Sequence, residues 1–164
     1  MKVWINQVTT YATTRGFFNS IFVAGSDIYV TGARYDGTDF VATVWKNGIA
    51  SSLPSGTERA FGNSIYVSGN DVYVAGYSRN ITTLKSTAKL WKNGVAINLT
   101  DGVNNGNATG VMVLGSDVYV SGDDELLLPN TNLRTAVITI WKNGELMRIS
   151  DVNGSATSTS FFVK

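Results

Sequence analysis

Three consecutive carboxylates, Asp123, Asp124 and Glu125, form the densest run of chemically capable groups in the chain. Paired Asp and Glu side chains can protonate a glycosidic oxygen and activate a nucleophile without histidine, so this run could serve a carboxylate-dependent glycosidase or lyase. It could also recruit calcium, but the alternating spacing and turn glycine of an EF-hand loop are missing. The stretch Asp101-Gly102-Val103-Asn104-Asn105 fails the same pattern, with Val103 at a ligand position. The chain contains no His and no Cys. The commonest general base, thiol nucleophiles, disulfides and zinc–thiolate sites are therefore excluded. With carboxylates few and clustered only once, the sequence reads as non-enzymatic, with no catalytic residue, no metal and no cofactor.

The remaining chemistry is that of binding. Arg34, Tyr35 and Asp36, then Tyr77 and Arg79, then Asp123 and Asp124 recur at related places along the chain. Glu58, Arg59, Asn104 and Asn105 lie in other connections. This mixture of Tyr, Arg and carboxylates suits a glycan or a protein ligand, although it also describes an ordinary solvated loop set. Trp45, Trp91 and Trp141 could stack on sugar rings, but one Trp per repeat at a fixed strand position points to packing between units. Lys46, Lys92 and Lys142 read as charges that keep strand edges soluble, and Asp27, Asp71 and Asp117 as local acceptors for turn amides. Leu126-Leu127-Leu128-Pro129 reads as a loop that folds over the sheet edge or forms a contact patch. The sequons at Asn80, Asn98 and Asn107 are what chance yields in a chain rich in Asn and Thr.

Internal repeats reveal the elements that position these groups. Trp-Lys-Asn-Gly occurs at 45–48, 91–94 and 141–144, and DIYVTG (27–32), DVYVAG (71–76) and DVYVSG (117–122) form a second series. SIFVAG (20–25), SIYVSG (64–69) and GVMVLG (110–115) precede them, always in the same order, with spacings of 44 to 50 residues. Each unit predicts four strands: a (Ser20 to Ala24 in the first), b (Ile28 to Thr31), c (Phe40 to Trp45) and d (Ile49 to Leu53). Gly-Ser or Gly-Asn joins a to b, which is type II′ hairpin chemistry, and Asn-Gly joins c to d, the strongest short hairpin signal. Four antiparallel strands repeating every ~45 residues match a β-propeller blade. The expected fold is an all-β propeller of three complete blades, over 16–58, 60–104 and 106–154, within a single domain.

Read together, S-I-x-V-x-G-x-D-V-Y-V-x-G, W-K-N-G and a closing T-D-G stand complete in the second copy as SIYVSGNDVYVAG, LWKNG and LTDG. This pattern resembles the WKNG-type propeller repeats of Bacteroidetes surface proteins and is similar to the broader bacterial SBBP repeats, over about residues 16 to 164. The resemblance implies an exported or surface-exposed parent and carries no functional residues with it.

Alternation of strand direction places the a–b and c–d turns on one face and the b–c and d–a connections on the other. The first face has minimal hairpins of fixed length. On the second, Trp45, Trp91 and Trp141 follow Gly32, Gly76 and Gly122 at 13, 15 and 19 residues. Variable loops on a rigid scaffold are the usual place for binding, so Arg34, Tyr35, Tyr77, Arg79, Asp123 and Asp124 are the candidate ligand-binding set.

Charged residues make up 15% of the chain and the net charge is +1, which argues against nucleic acid or anionic membrane as a partner. The opening residues do not read as a signal peptide, and no run approaches the ~20 apolar residues of a membrane span. Partial-blade strands are expected at 1–12, where Val3-Trp4-Ile5-Asn6-Gln7 is a worn WKNG, and at 158–164. Together the two ends lack a b-type hairpin. An open terminal face would leave several apolar side chains wet at ~1.5–3 kcal/mol each. The chain is therefore expected to pair into a homodimeric ring, to belong to a longer propeller, or to close alone with four blades; the dimer is favoured. The leading function is a non-catalytic binding module. A purely structural, self-assembling unit is the alternative, ahead of the glycosidase or lyase.

Overall fold

The computed structural model describes residues 2–5, 8–11, 15–128, 130–131 and 133–148. The tail strand expected over 158–164 lies outside them. The head pairs β1 (Lys2–Ile5) with β2 (Val8–Tyr11), antiparallel, with Ile5 opposite Val8. Three four-stranded antiparallel sheets follow, each a meander in chain order. The first holds β3 (Gly16–Ala24), β4 (Asp27–Tyr35), β5 (Phe40–Lys46) and β6 (Ile49–Ser52). The second holds β7 (Arg59–Ser68), β8 (Asp71–Arg79), β9 (Ser86–Lys92) and β10 (Val95–Asn98). The third holds β11 (Gly106–Leu114), β12 (Asp117–Leu127), β13 (Arg134–Lys142) and β14 (Glu145–Arg148). Among the described residues there is no helix, so the all-β expectation and the three repeated sheets hold.

Turn chemistry sets the hairpins. Gly25, Gly69 and Gly115 have φ of 60°, 58° and 62°, while the residue after each does not turn positive. In the c–d turns both central residues are left-handed, Asn47 and Gly48 at 50° and 85°, with Asn93–Gly94 and Asn143–Gly144 alike. These are the backbone requirements of II′ and I′ hairpins respectively, and both match the twist of the flanking strands.

The strands run further than the repeats suggest. Strand b was expected to stop at Thr31, before Gly32, yet β4 continues to Tyr35, and β8 and β12 likewise pass Gly76 and Gly122. Each a strand carries a bulge opposite that glycine, between Phe18 and Ser20, Gly62 and Ser64, and Ala108 and Gly110. The bulge presses the carbonyls of Phe17, Phe61 and Asn107 onto Gly32, Gly76 and Gly122, where any Cβ would collide. Glycine here marks a close backbone approach within a strand. It does not mark a strand end.

The sheets meet face to face. β7 lies on β3, β4 and β5, and β11 lies on β7, β8 and β9. Between the first two sheets Tyr29, Ala42, Val44 and Leu53 pack with Ala60, Ile65, Val67, Val74 and Trp91. Between the second and third, Tyr73, Ala75, Ala88 and Leu90 pack with Ala108, Val111, Val113, Val120 and Trp141. The same positions build both cores. Polar latches recur with them: Asn19 Nδ2 donates to Gly62 O at 2.8 Å and Asn63 Nδ2 to Ala108 O at 2.9 Å. In return Ile65 N donates to Ser20 Oγ at 3.3 Å and Val111 N to Ser64 Oγ at 3.2 Å. The fourth strands β6 and β10 are exposed along their whole length.

Candidate functional site

Each sheet has two ends of different character. At the a–b and c–d turns, the motifs D-[IV]-Y and W-K-N-G close on one another. Lys46, Lys92 and Lys142 Nζ lie 2.8, 3.0 and 2.7 Å from Asp27, Asp71 and Asp117 Oδ2. Asn47, Asn93 and Asn143 donate Nδ2 to the other carboxylate oxygen at 2.8, 2.7 and 2.8 Å. Their Oδ1 accepts the backbone N–H of Ile28, Val72 and Val118 at 2.9, 2.8 and 2.8 Å. The ammonium groups also sit 5.2, 5.3 and 5.5 Å from the ring centres of Tyr29, Tyr73 and Tyr119.

These aspartates were expected to bond the amides of their own turn. They accept instead from the neighbouring c–d turn, because antiparallel strands bring the two turns side by side. Lysine and asparagine donors hold Asp27 and Asp117 below the ordinary carboxylate value, and asparagine then lysine do so for Asp71. The carboxylates in turn raise the three lysines. These pairs face solvent, where screening leaves an ion pair little net stability, so the clasp fixes turn geometry more than it adds stability.

The tryptophans are core residues. Trp45, Trp91 and Trp141 are each 1% exposed, so no ring face is open to a sugar. Trp91 Nε1 donates to Pro54 O across the sheet junction at 2.8 Å, whereas Trp141 Nε1 is buried without a hydrogen-bond partner among the described residues. Trp45 meets the ring of Phe18 edge-on at 4.9 Å.

The opposite end, where the b–c and d–a connections lie, differs from sheet to sheet. The candidates expected in loops are on strands: Arg34 and Tyr35 close β4, Tyr77 and Arg79 close β8, and Asp123 and Asp124 lie within β12. The extra residues of the third unit likewise lengthen its hairpin, with Leu126 paired to Thr135 and Leu127 to Arg134. Leu126 and Leu127 are therefore strand residues.

Around the first two sheets this end is aromatic. Arg15 lies 4.4 Å over the Tyr35 ring, Tyr35 meets Phe40 at 5.7 Å, Phe40 meets Phe17 at 5.2 Å and Phe61 at 5.7 Å, and Phe61 stacks on Tyr77 at 5.1 Å. Burial raises the Tyr77 hydroxyl. Beside this ladder runs an open groove of about 780 Å3 lined by Phe40, Leu53, Pro54, Arg34, Asp36, Asp39, Glu58 and Ile81, among others. Arg34 donates Nη2 to Ser52 Oγ at 3.2 Å. Asp36 accepts the N–H groups of Thr38 and Asp39, and these bonds lower its pKa. Asp39 pairs with Arg59 at 2.7 Å, which lowers it as well. Glu58 bonds the buried hydroxyl of Ser78.

A second depression of about 230 Å3 adjoins Ile81, lined also by Arg59, Arg79, Asn80 and Leu84. Leu84 has φ of 58°, a conformation that costs an L-residue with a bulky side chain and recurs at binding sites. The turn is held by Arg79 Nε on Leu84 O at 3.1 Å and Leu84 N on Asn80 O at 3.0 Å. Ile81 and Leu84 are 56% and 58% exposed, and Leu127 and Leu133 of the third sheet are 53% and 66% exposed at the same end.

The third sheet replaces the aromatics with carboxylates. Strand alternation sends Asp123 and Glu125 to one face and Asp124 to the other, so the three do not converge. Burial and then Asp124 raise Asp123. Burial works to raise Glu125 too, but Asn105, Lys85 and Arg134 outweigh it and leave it lowered. Arg134 also bonds Asn104. Among the described residues no three His, Cys, Asp or Glu gather to hold a metal ion.

The structure thus joins Arg34, Asp36, Glu58 and Arg59 around one region, sets Tyr77 and Arg79 beside it, and leaves Asp123 and Asp124 on another sheet. Phe17, Phe40, Phe61 and Ile81 were not anticipated. The one available signal was the pair Phe17 and Phe61, aromatic at equivalent positions of two units. Comparison with protein-family models and with curated proteins finds no match for the chain.

Proposed function

We propose that the three sheets are consecutive blades of a β-propeller of the WKNG-repeat type, and that the chain is a non-catalytic module binding an extended protein segment at its b–c end. Adjacency of β3, β7 and β11, with exposed fourth strands, supports the blade reading. The observation that carries the ligand class is the groove of about 780 Å3 lined by Phe40, Leu53, Pro54 and Ile81 together with Arg34, Asp36 and Asp39, the last of these paired to Arg59. An apolar trough with a few fixed charges is suited to a peptide that inserts side chains between polar backbone contacts. Glycan is the weaker fit, because Tyr35, Phe40, Phe61 and Tyr77 pack their rings against one another, edge-on, tilted or stacked. A surface-exposed parent follows from the repeat resemblance and belongs to the same proposal.

Selection of peptides from a random display library, followed by calorimetry of a synthetic consensus peptide, tests this. The expected result is a motif of apolar residues beside charge, with affinity falling about tenfold or more in Ile81→Asp and an unchanged circular dichroism spectrum. Failure to enrich any peptide, or equal affinity in Ile81→Asp, overturns the reading. Selective binding on a glycan array at this end restores the sugar alternative.

A further inference from the structure

The depression of about 230 Å3 beside the groove is lined by hydrogen-bond donors and apolar carbon. Arg59 opens β7 and Arg79 closes β8, directly opposite one another in the register, so both side chains leave the same face of the second sheet. Like charges placed opposite in this way repel. Asp39 offsets Arg59 at 2.7 Å. Among the described residues no carboxylate pairs with Arg79, and none lines the depression. Each arginine is tethered through Nε, one to Asp39 and the other to Leu84 O, which leaves the terminal nitrogens of both forks to donate elsewhere. Asn80 adds the same polarity. Its Oδ1 accepts the N–H groups of Thr82 and Thr83 at 2.9 Å each, and its amide nitrogen is left as a donor. The rest of the lining is Ile81 and Leu84, the latter held at φ of 58°.

We infer that this depression binds a carboxylate with an apolar neighbour. The carboxylate oxygens accept from the terminal nitrogens of Arg79, with Arg59 and Asn80 beside it, and the attached carbon rests on Ile81 and Leu84. A planar guanidinium matches a carboxylate fork to fork. With Asp39 offsetting Arg59, a single positive charge remains, which suits a carboxylate and falls short of a phosphate dianion. The strained turn at Leu84 is what holds an apolar side chain against this charge, and strain of that kind gathers at ligand clamps. The inference rests on the peptide reading only for the source of the carboxylate, a free C-terminus or an Asp or Glu side chain. Ile81 lines both the groove and the depression, whereas Arg59 and Arg79 line the depression alone.

NMR titration of the chain with small probes tests this, reading the Ile81 and Leu84 amides and the Nε–H signals of Arg59 and Arg79. N-acetyl-leucine presents a terminal carboxylate, N-acetyl-aspartate α-methylamide a side-chain one, and N-acetyl-leucinamide none. Saturable shifts in the millimolar range are expected from at least one acid, and the tighter of the two names the source. The amide should bind at least about tenfold more weakly. Arg79→Gln should cost the acid a similar factor with the remaining amide spectrum unchanged, and Arg79→Lys, which keeps the charge without the fork, should fall between. Equal shifts from acid and amide on the unaltered chain, no shift from either acid, tighter binding of inorganic phosphate, or undiminished binding in Arg79→Gln overturns the inference. The two readings fail separately. A library that enriches no peptide while N-acetyl-leucine binds here sinks the peptide reading alone, and an enriched peptide that binds equally well without any carboxylate sinks this one alone.

Discussion

The two ends of each sheet are made from the same strands, yet one is copied three times and the other is rewritten each time. At the hairpin end, Asp, Tyr, Lys and Asn repeat with distances that agree within a few tenths of an ångström. At the opposite end, the equivalent places hold Tyr35, Arg79 and Glu125, which respectively join an aromatic ladder, brace a turn, and pair with Lys85 and Arg134. Residues that repeat are those that shape hairpins or fill junctions. Residues that vary sit where the backbone is already fixed by the strands, so the side chains there are free to take different roles in each sheet.

The largest effect able to break this comparison lies between the ends, in the shared core. Trp91→Ala removes a fully buried ring and should cost ~3–5 kcal/mol in urea unfolding. Trp91→Phe should cost ~1 kcal/mol more than Trp141→Phe, since only Trp91 donates across its junction. Equal losses for the two would mean that the hydrogen bond to Pro54 adds nothing.

Alanine at Asp27, Asp71 or Asp117 should shift the urea midpoint slightly, and by the same amount in each copy. Alanine at Tyr35, Arg79 and Glu125 should give three different values. A matching spread at both ends would erase the distinction between them.

A smaller effect follows from charge. The three clasp aspartates titrate below their ordinary value when folded, so their contribution is present at neutral pH and lost as pH falls through and below that value. The raised lysines add a contribution that is lost only as pH rises beyond the ordinary lysine value. Urea midpoints should hold level between these limits and fall in acid, and replacing all three aspartates by asparagine should flatten the acid limb.

Asp123 behaves oppositely. Its raised pKa means that the folded state disfavours the charged form, so it opposes folding above its unfolded pKa and ceases to do so in acid. Asp123→Asn should stabilise the protein at neutral pH by less than about 0.5 kcal/mol, measured by thermal unfolding. A loss of stability would show that the carboxylate is needed where it sits.

The hairpins were legible because their signals are local. Asn47-Gly48 and Gly25-Ser26 specify their backbone angles by residue type alone. Strand extent was less legible, because Gly32, Gly76 and Gly122 look like ends when read along the chain. Their reason, a carbonyl pressed against them by a bulge on another strand, exists only once the strands pair. The same misreading sent Arg34, Tyr77 and Asp123 into loops. The groove was least legible of all. Phe40 and Phe61 come from different sheets, and no spacing in one unit announces that their rings meet.

The asparagine latch has a consequence for unit order. Asn19 and Asn63 both reach forward to the sheet that follows, and Ile65 and Val111 both give an amide back to the sheet before. Neighbours are thus joined by a polarity, like tongue to groove, and the third unit carries Thr109-Gly110 where the others carry Asn-Ser. Permuting the gene so that this unit came second would put Thr-Gly in place of Asn-Ser at an internal seam, whereas duplicating the second unit in place would add a seam with both bonds intact.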